Sequence, residues 1–174
     1  MILTEWDSAQ TFAISGLAAL LDEKRKYFGV IPLKGKIINP KDCKISTIEN
    51  NQQFCDIKQI LGLKQGYDYS QSISSLRYGQ IMIITDADVD GAHIATLLLT
   101  FFYAYMRQIL KQGYIFIAQP PLYKIQQGKR IEYAYNDAQL DKYLAEMPQQ
   151  PKPGIQPYKG LGEMNPGQLW ETTM

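Results

Sequence analysis

The sequence predicts one α/β domain with a partly parallel sheet, and three neighbouring segments carry that prediction. Gln80 to Thr85 reads QIMIIT, a short β-branched and nearly all-apolar strand of the kind covered on both faces. Ala92 to Leu110 is apolar and long enough for a buried helix, and Gly113 closes it. Tyr114 to Ala118, YIFIA, reads as a second buried strand. A helix joining two buried strands is a βαβ crossover, which makes the strands parallel.

Composition agrees with a single folded unit. The chain has 174 residues, 45% hydrophobic and 20% charged, which suits one ordinary domain and excludes a disordered tail. Eighteen basic residues against 17 acidic give a formal charge of +1, so a strongly basic arm is excluded while a local basic patch is not. Cys43 and Cys55 make no disulfide framework and lack metal-ligand partners at useful spacing, so a reducing, intracellular protein is expected. Glu5 and Asp7 stand where a secretion signal needs a basic region and an apolar run. The run Ala92 to Met106 falls short of the ~20 apolar residues of a membrane span. No membrane association is expected. The abrupt apolar start and the uncapped, helix-like WETTM at the end read as a piece of something larger.

The remaining elements follow in order. Met1 to Thr4 reads as a buried strand that stops at Glu5. Ser8 to Leu21 reads as a helix, with Phe12, Ala13, Leu17, Leu20 and Leu21 at helical spacing and Asp7 or Ser8 as its cap. VIPLKGKIIN is strand-like, broken by a turn, and Ile45 to Leu61 is helical, followed by loop-like GLKQGYDYSQS. After Pro120 and Pro121, PLYKI and RIEYAYN form a hairpin around Gln127-Gly128. Asp137 to Met147 is a short helix, PQQPKPG a linker, and Asn165 followed by Pro166 opens the last helix.

The chemistry concentrates in DADVDG. Asp86, Asp88 and Asp90 stand at i, i+2 and i+4 directly after a buried strand, so a near-extended chain projects Asp86 and Asp88 the same way. Ligands of open α/β sheets bind at the carboxyl ends of the strands. Carboxylates gathered there repel one another unless a hard cation relieves them, and Mg2+ needs only one or two plus a substrate phosphate. The plainer reading is a turn that caps the following helix, with Asp90 at its start. A calcium loop matches the first six positions, but a strand precedes it and Leu97 stands where the bidentate glutamate belongs. Glu5 also follows an apolar strand and precedes a helix. That makes it a candidate for the same crevice, to bind metal or to move a proton if neighbouring acids raise its pKa.

LTE-DSA, PLKGKIIN and IMIITDADVDGAHIATLLLTFFY, followed in order by IAQPPLYKI and YKGLGEMNPGQLWETTM, closely resemble the TOPRIM domain of type IIA DNA topoisomerases. The resemblance implies a Rossmann-like α/β fold with a central, mostly parallel sheet flanked by helices and a C-terminal hairpin and helix extension. Residues 1–125 would form the core, 126–157 a variable hairpin, helix and linker, and 158–174 the YKGLGEMNP segment. It places the catalytic glutamate on Glu5 and the metal-binding acids on Glu5, Asp86, Asp88 and Asp90. Mg2+ is the implied cofactor, with Mn2+ or Ca2+ as substitutes. Duplex DNA is the implied partner, touched by Lys34, Lys36, Asn39, His93 and Lys159, each of which is otherwise an ordinary solvated or turn residue. The nucleophilic tyrosine would come from a separate winged-helix module or A subunit. ATP would bind only an upstream domain, since GLGE lacks the G-K-[ST] ending of a phosphate loop.

The implied parent is a homodimer or A2B2 assembly, of which this piece would be an inactive, monomeric part. It would be cytoplasmic at the nucleoid in a bacterium, or in the nucleus or a viral factory otherwise. A TOPRIM-type nuclease or primase is the nearest alternative. The one serious departure is Trp6, in EWDSA where the family has EGDSA. An indole there is strained if its φ is positive, and it is expected to stack against the DNA, to pack outward or to displace Glu5. Displacement would leave a platform that binds DNA or a partner subunit, with impaired chemistry.

Overall fold

A computed structural model describes residues 1–18, 20, 22–35, 37–64, 67–69, 72, 74–148 and 150–173. The expected helix end at Leu21 and the expected DNA contact Lys36 lie outside them. The elements run β1 (Ile2–Thr4), α1 (Asp7–Leu17), α2 (Asp22–Arg25), β2 (Val30–Pro32), α3 (Ile45–Asn50), α4 (Gln52–Leu61), β3 (Ile81–Ile84), α5 (Val89–Tyr105), α6 (Arg107–Lys111) and β4 (Ile115–Ile117). Then follow β5 (Tyr123–Gln127), β6 (Arg130–Ala134), α7 (Asp137–Glu146), β7 (Gly154–Pro157), a 3-10 turn at Leu161–Glu163 and α8 (Pro166–Thr173).

Among the described residues, four short strands form a parallel sheet in the order β2-β1-β3-β4. Alternation along each strand divides the core in two. Leu3, Ile81 and Ile83 point into one cluster with Phe54, Ile57, Leu98, Phe101 and Phe102. Ile2 and Ile84 point into the other with Ala13, Leu17, Tyr158, Leu161 and Leu169. The first layer is built by α4 and α5, whose Phe54 and Phe101 rings stack with centroids 4.4 Å apart. The second is built by α1 and α8, so the chain's last helix covers the same sheet face as its first.

A separate antiparallel sheet, β6-β5-β7, carries α7 over Ile125, Ala134 and Met147. Its hairpin turns at Gly128, where φ is 60°. The fold is therefore α/β, a parallel sheet flanked by helices with a hairpin and helix extension.

Several local expectations are corrected. The helix expected over Ala92–Leu110 begins at Val89 and breaks at Met106, which leaves helical geometry (φ −138°, ψ 43°) with its side chain buried in the main core. The stretch Ile45–Leu61 splits at Asn51, whose side chain accepts from the Phe54 amide at 3.2 Å and so starts a new helix. YIFIA is not a buried strand. β4 is an edge strand, and Phe116 and Ile117 stay 43% and 46% exposed. The linker-like PQQPKPG runs into β7, which pairs Ile155 with Ile125. At α1 the N-cap position is Trp6 and not Asp7 or Ser8, and it makes no side-chain cap bond. α8 opens as expected, with the Gln168 amide donating to Asn165 Oδ1 at 2.8 Å.

Candidate functional site

The two central strands end side by side. Their parallel register pairs Thr4 with Ile84, so Glu5 and the Thr85-Asp86 step leave the sheet at the same edge. Glu5 turns inward and is only 4% exposed. Its Oε2 accepts from the backbone amide of Asp86 at 3.2 Å, and its Oε1 accepts from Trp6 Nε1 at 3.2 Å. Burial raises the Glu5 carboxyl above its usual range, the two donors partly offset this, and the charges of Asp86 and Asp88 push it up again. Glu5 therefore feels both aspartates.

Asp86 is half-buried, and its Oδ1 accepts from the Leu161 amide at 2.9 Å. Asp88 is exposed and is the N-cap of α5, its Oδ1 accepting from the Gly91 amide at 2.8 Å. The expectation that Asp90 sits at the cap is thus corrected. Asp90 lies inside the first helical turn, exposed, where its charge complements the helix dipole. Each of Asp86 and Asp88 keeps its second oxygen without a hydrogen bond among the described residues.

Two glycines border Asp86, and at Gly91 no side chain fits. A β-carbon on Gly91 would stand 2.2 Å from the Asp86 carbonyl oxygen, and one on Gly160 would stand 3.4 Å from both Asp86 carboxylate oxygens. Leu161, Gly160 and Gly91 were not singled out by sequence reasoning as parts of the acidic site. The signal for the first two was the paired glycines of YKGLGE. Beside the acids opens a cleft of about 720 Å³, lined among others by Asp86, Asp88, Ala92, Thr96, Ile117 and Tyr135.

The remaining candidates are held by their own local structure. Lys34 is exposed and its carbonyl accepts from Gln53 Nε2 at 2.5 Å. Asn39 is exposed but committed to its own turn, donating to Asp42 Oδ2 at 2.6 Å and accepting from the Lys41 amide at 3.1 Å. His93 is exposed on the first turns of α5. Lys159 is exposed, and its amide donates to Glu163 Oε2 at 2.9 Å. Its neighbour Tyr158 is buried and donates to Gln168 Oε1 at 3.2 Å.

Trp6 does not strain the backbone, and Glu5 beside it is buried and bonded to the Asp86 amide. The Trp6 φ of −144° and ψ of 169° are ordinary extended values. Trp6 is 49% exposed, and its indole leans back onto the glutamate.

Among the described residues, no three His, Cys, Asp or Glu side chains converge as a ready metal cage. The donor set nevertheless suits a hard cation. Two carboxylates with free oxygens at an open crevice match a Mg2+ ion that keeps its waters and takes further oxygens from a phosphate. No helix among the described residues is long and apolar enough to cross a membrane.

Residues 2–120 match the family model described as Toprim domain, and residues 150–174 that of the DNA gyrase B subunit, carboxyl terminus. The chain is 52% identical over 172 residues to the DNA gyrase B subunit of Halalkalibacterium halodurans, covering 99% of this chain and 26% of that protein. It is 48% identical over 174 residues to the DNA gyrase B subunit of Staphylococcus aureus, covering 100% and 26%. The Plasmodium falciparum topoisomerase II DNA-binding, cleavage and re-ligation domain superposes with a TM-score of 0.84 at 32% identity, over 98% of this chain and 23% of that one. The chain spans about a quarter of the length of the curated relatives it matches.

Proposed function

Since the chain belongs to the Toprim domain family, homologous to the DNA gyrase B subunit and the matching region of type IIA topoisomerases, we propose that it is the cation-binding half of a DNA cleavage and religation centre. The carrying observation is the junction of Glu5 with Asp86, 81 residues apart and bonded at the carboxyl ends of neighbouring parallel strands. Asp86 and Asp88 supply the free carboxylate oxygens that would hold Mg2+. When bound, the ion would supply positive charge against a DNA phosphate.

Glu5 has a different part. Both its oxygens are engaged by N–H donors and its proton affinity is raised, which suits a group that takes and returns a proton at the 3′ oxygen of the broken strand. The described chain offers no exposed tyrosine beside the acids other than Tyr135, which lines the cleft and is itself tied to the Thr172 carbonyl at 3.0 Å. A tyrosine-bearing winged-helix module or A subunit would supply the nucleophile, and an upstream domain the ATPase activity. Lys34, Lys36, Asn39, His93 and Lys159 would touch the DNA backbone, positioning it without reading sequence. A complete parent is taken to be an ATP-dependent type IIA topoisomerase, working as an A2B2 or dimeric assembly in the cytoplasm, at the nucleoid. Residues 1–125 would serve as core, 126–157 as a variable extension and 158–174 as the closing segment over Asp86.

A Mn2+ titration followed by electron paramagnetic resonance tests the cation site. Saturable binding, competed by Mg2+ and lost in an Asp86→Asn/Asp88→Asn double variant, is the expected outcome. Binding that survives both substitutions would place the ion elsewhere and sink the proposal.

A further inference from the structure

We propose that Trp6 is a positioning residue for Glu5, holding its carboxylate through the indole N–H. Neighbouring side chains of an extended chain point to opposite faces, so a bond between them requires one to fold back. Trp6 does this where β1 ends and α1 begins. Its own carbonyl accepts the first helical bond from the Gln10 amide at 3.0 Å, which anchors the backbone. From that anchor the indole Nε1 reaches Glu5 Oε1 at 3.2 Å. The far edge of the ring lies by the turn after β2, its Cη2 3.9 Å from where a β-carbon of Gly35 would stand. Gly35 itself has φ 75° and presents no side chain to push the ring away.

The result is a clamp with two jaws. The Asp86 amide holds Oε2 from the side of the acidic loop, and Trp6 holds Oε1 from the side of α1. Two donors to two oxygens of one buried carboxylate fix the plane of the group, which leaves its orientation in the crevice set before any substrate arrives. Hydrogen bonds to an ionised acceptor are the strong kind. Removing the N–H would leave Oε1 inside with no donor among the described residues, although the ring stayed in place. A glycine at position 6 offers no such jaw, so this chain reaches the Glu5 orientation by a route that the EGDSA pattern lacks. The proposal rests on Glu5 as the proton-handling group of the site proposed above.

The test uses the 15N-labelled 174-residue chain in solution, without DNA or metal, so its outcome for Trp6 is separate from that of the Mn2+ titration. A Trp170→Phe background assigns the single remaining indole resonance. Glu5→Gln replaces a charged acceptor by a neutral one and is expected to move the Trp6 indole proton upfield. Incorporating benzothienylalanine at position 6 keeps the bicyclic ring and deletes its N–H. It is expected to speed hydrogen exchange at the Asp86 amide roughly tenfold or more, the size expected for losing one charge-assisted bond, with exchange in the α5 core unchanged. An indole proton unmoved by Glu5→Gln, or an Asp86 amide unmoved by the N–H deletion, would reduce Trp6 to a packing residue and overturn the proposal.

Discussion

Gly91→Ala should unfold the acidic site more than its size suggests. In a helix the change normally stabilises by ~1 kcal/mol. Here the new methyl would stand 2.2 Å from the Asp86 carbonyl oxygen and 3.0 Å from the Asp86 nitrogen. That is about 1 Å short of an ordinary C···O contact, and the obstacle is backbone, which has no rotamer to swing away. Over-packing of this kind typically costs ~1–3 kcal/mol, and the rigid obstacle argues for the upper end. Set against the helical gain, the net loss is about 2 kcal/mol, or roughly 4–8 °C in Tm for a domain of this size. The relief must come from moving either Asp86 or the first turn of α5, whose Gly91 amide is the one that Asp88 caps. Gly167→Ala in α8 is the control, since its β-carbon would meet only Asn165 Oδ1 at 3.5 Å. Thermal unfolding of the two variants should therefore diverge, Gly167→Ala holding or raising Tm and Gly91→Ala lowering it. Equal or reversed shifts would refute the close approach of α5 to the Asp86 backbone.

Three further outcomes follow from the same geometry. Because Glu5 binds its proton more tightly folded than unfolded, its contribution to stability is complete below about pH 4.5 and is lost as pH rises through its raised value. Glu5→Gln removes that loss, so its Tm advantage over the natural chain should grow from pH 4 to pH 7, and a pH-independent difference would contradict the shift. Gly160→Ala places a methyl 3.4 Å from both Asp86 oxygens. Tm should barely move while Mn2+ affinity falls by about tenfold, as for changes just outside a metal's own ligands, and unchanged affinity would separate Gly160 from the site. Phe101→Ala, which empties a fully buried stack on Phe54, should cost ~3–5 kcal/mol and lower Tm by roughly 6–20 °C. A small shift would mean that the α4–α5 layer refills the space.

The acidic loop was legible because its neighbours are so constrained. The apolar strand IMII runs straight into alternating aspartates, and the carboxyl end of a strand is where an open parallel sheet leaves room for a ligand. Placing Glu5 at the equivalent end of β1 needed only the same reasoning applied twice. What could not be read was which of two chemically identical residues does a job. Asp88 and Asp90 are equally good caps, and only the start of α5 at Val89 decides for Asp88. The break at Met106 is invisible for a similar reason, since FFYAYMRQIL keeps its helical period straight through it. Apolarity also fails to tell an edge from a centre, hence the exposed Phe116 and Ile117. β7 was hidden because Gly154 closes the linker-like PQQPKPG and Pro157 has no N–H to donate, yet an edge position tolerates such a residue. The closure of Leu161 on Asp86 spans 75 residues and uses a backbone amide, which no side-chain pattern announces.

The central claim is that Asp86 and Asp88 serve the breaking and rejoining of duplex DNA. The most direct measurement is cleavage of a duplex by the parent assembly, with the tyrosine-bearing subunit present and Mg2+ supplied, comparing the natural chain with Asp86→Asn/Asp88→Asn. Covalent protein–DNA product should disappear in the double variant while assembly and duplex binding persist. Covalent product formed at the natural rate without the two carboxylates would contradict the claim.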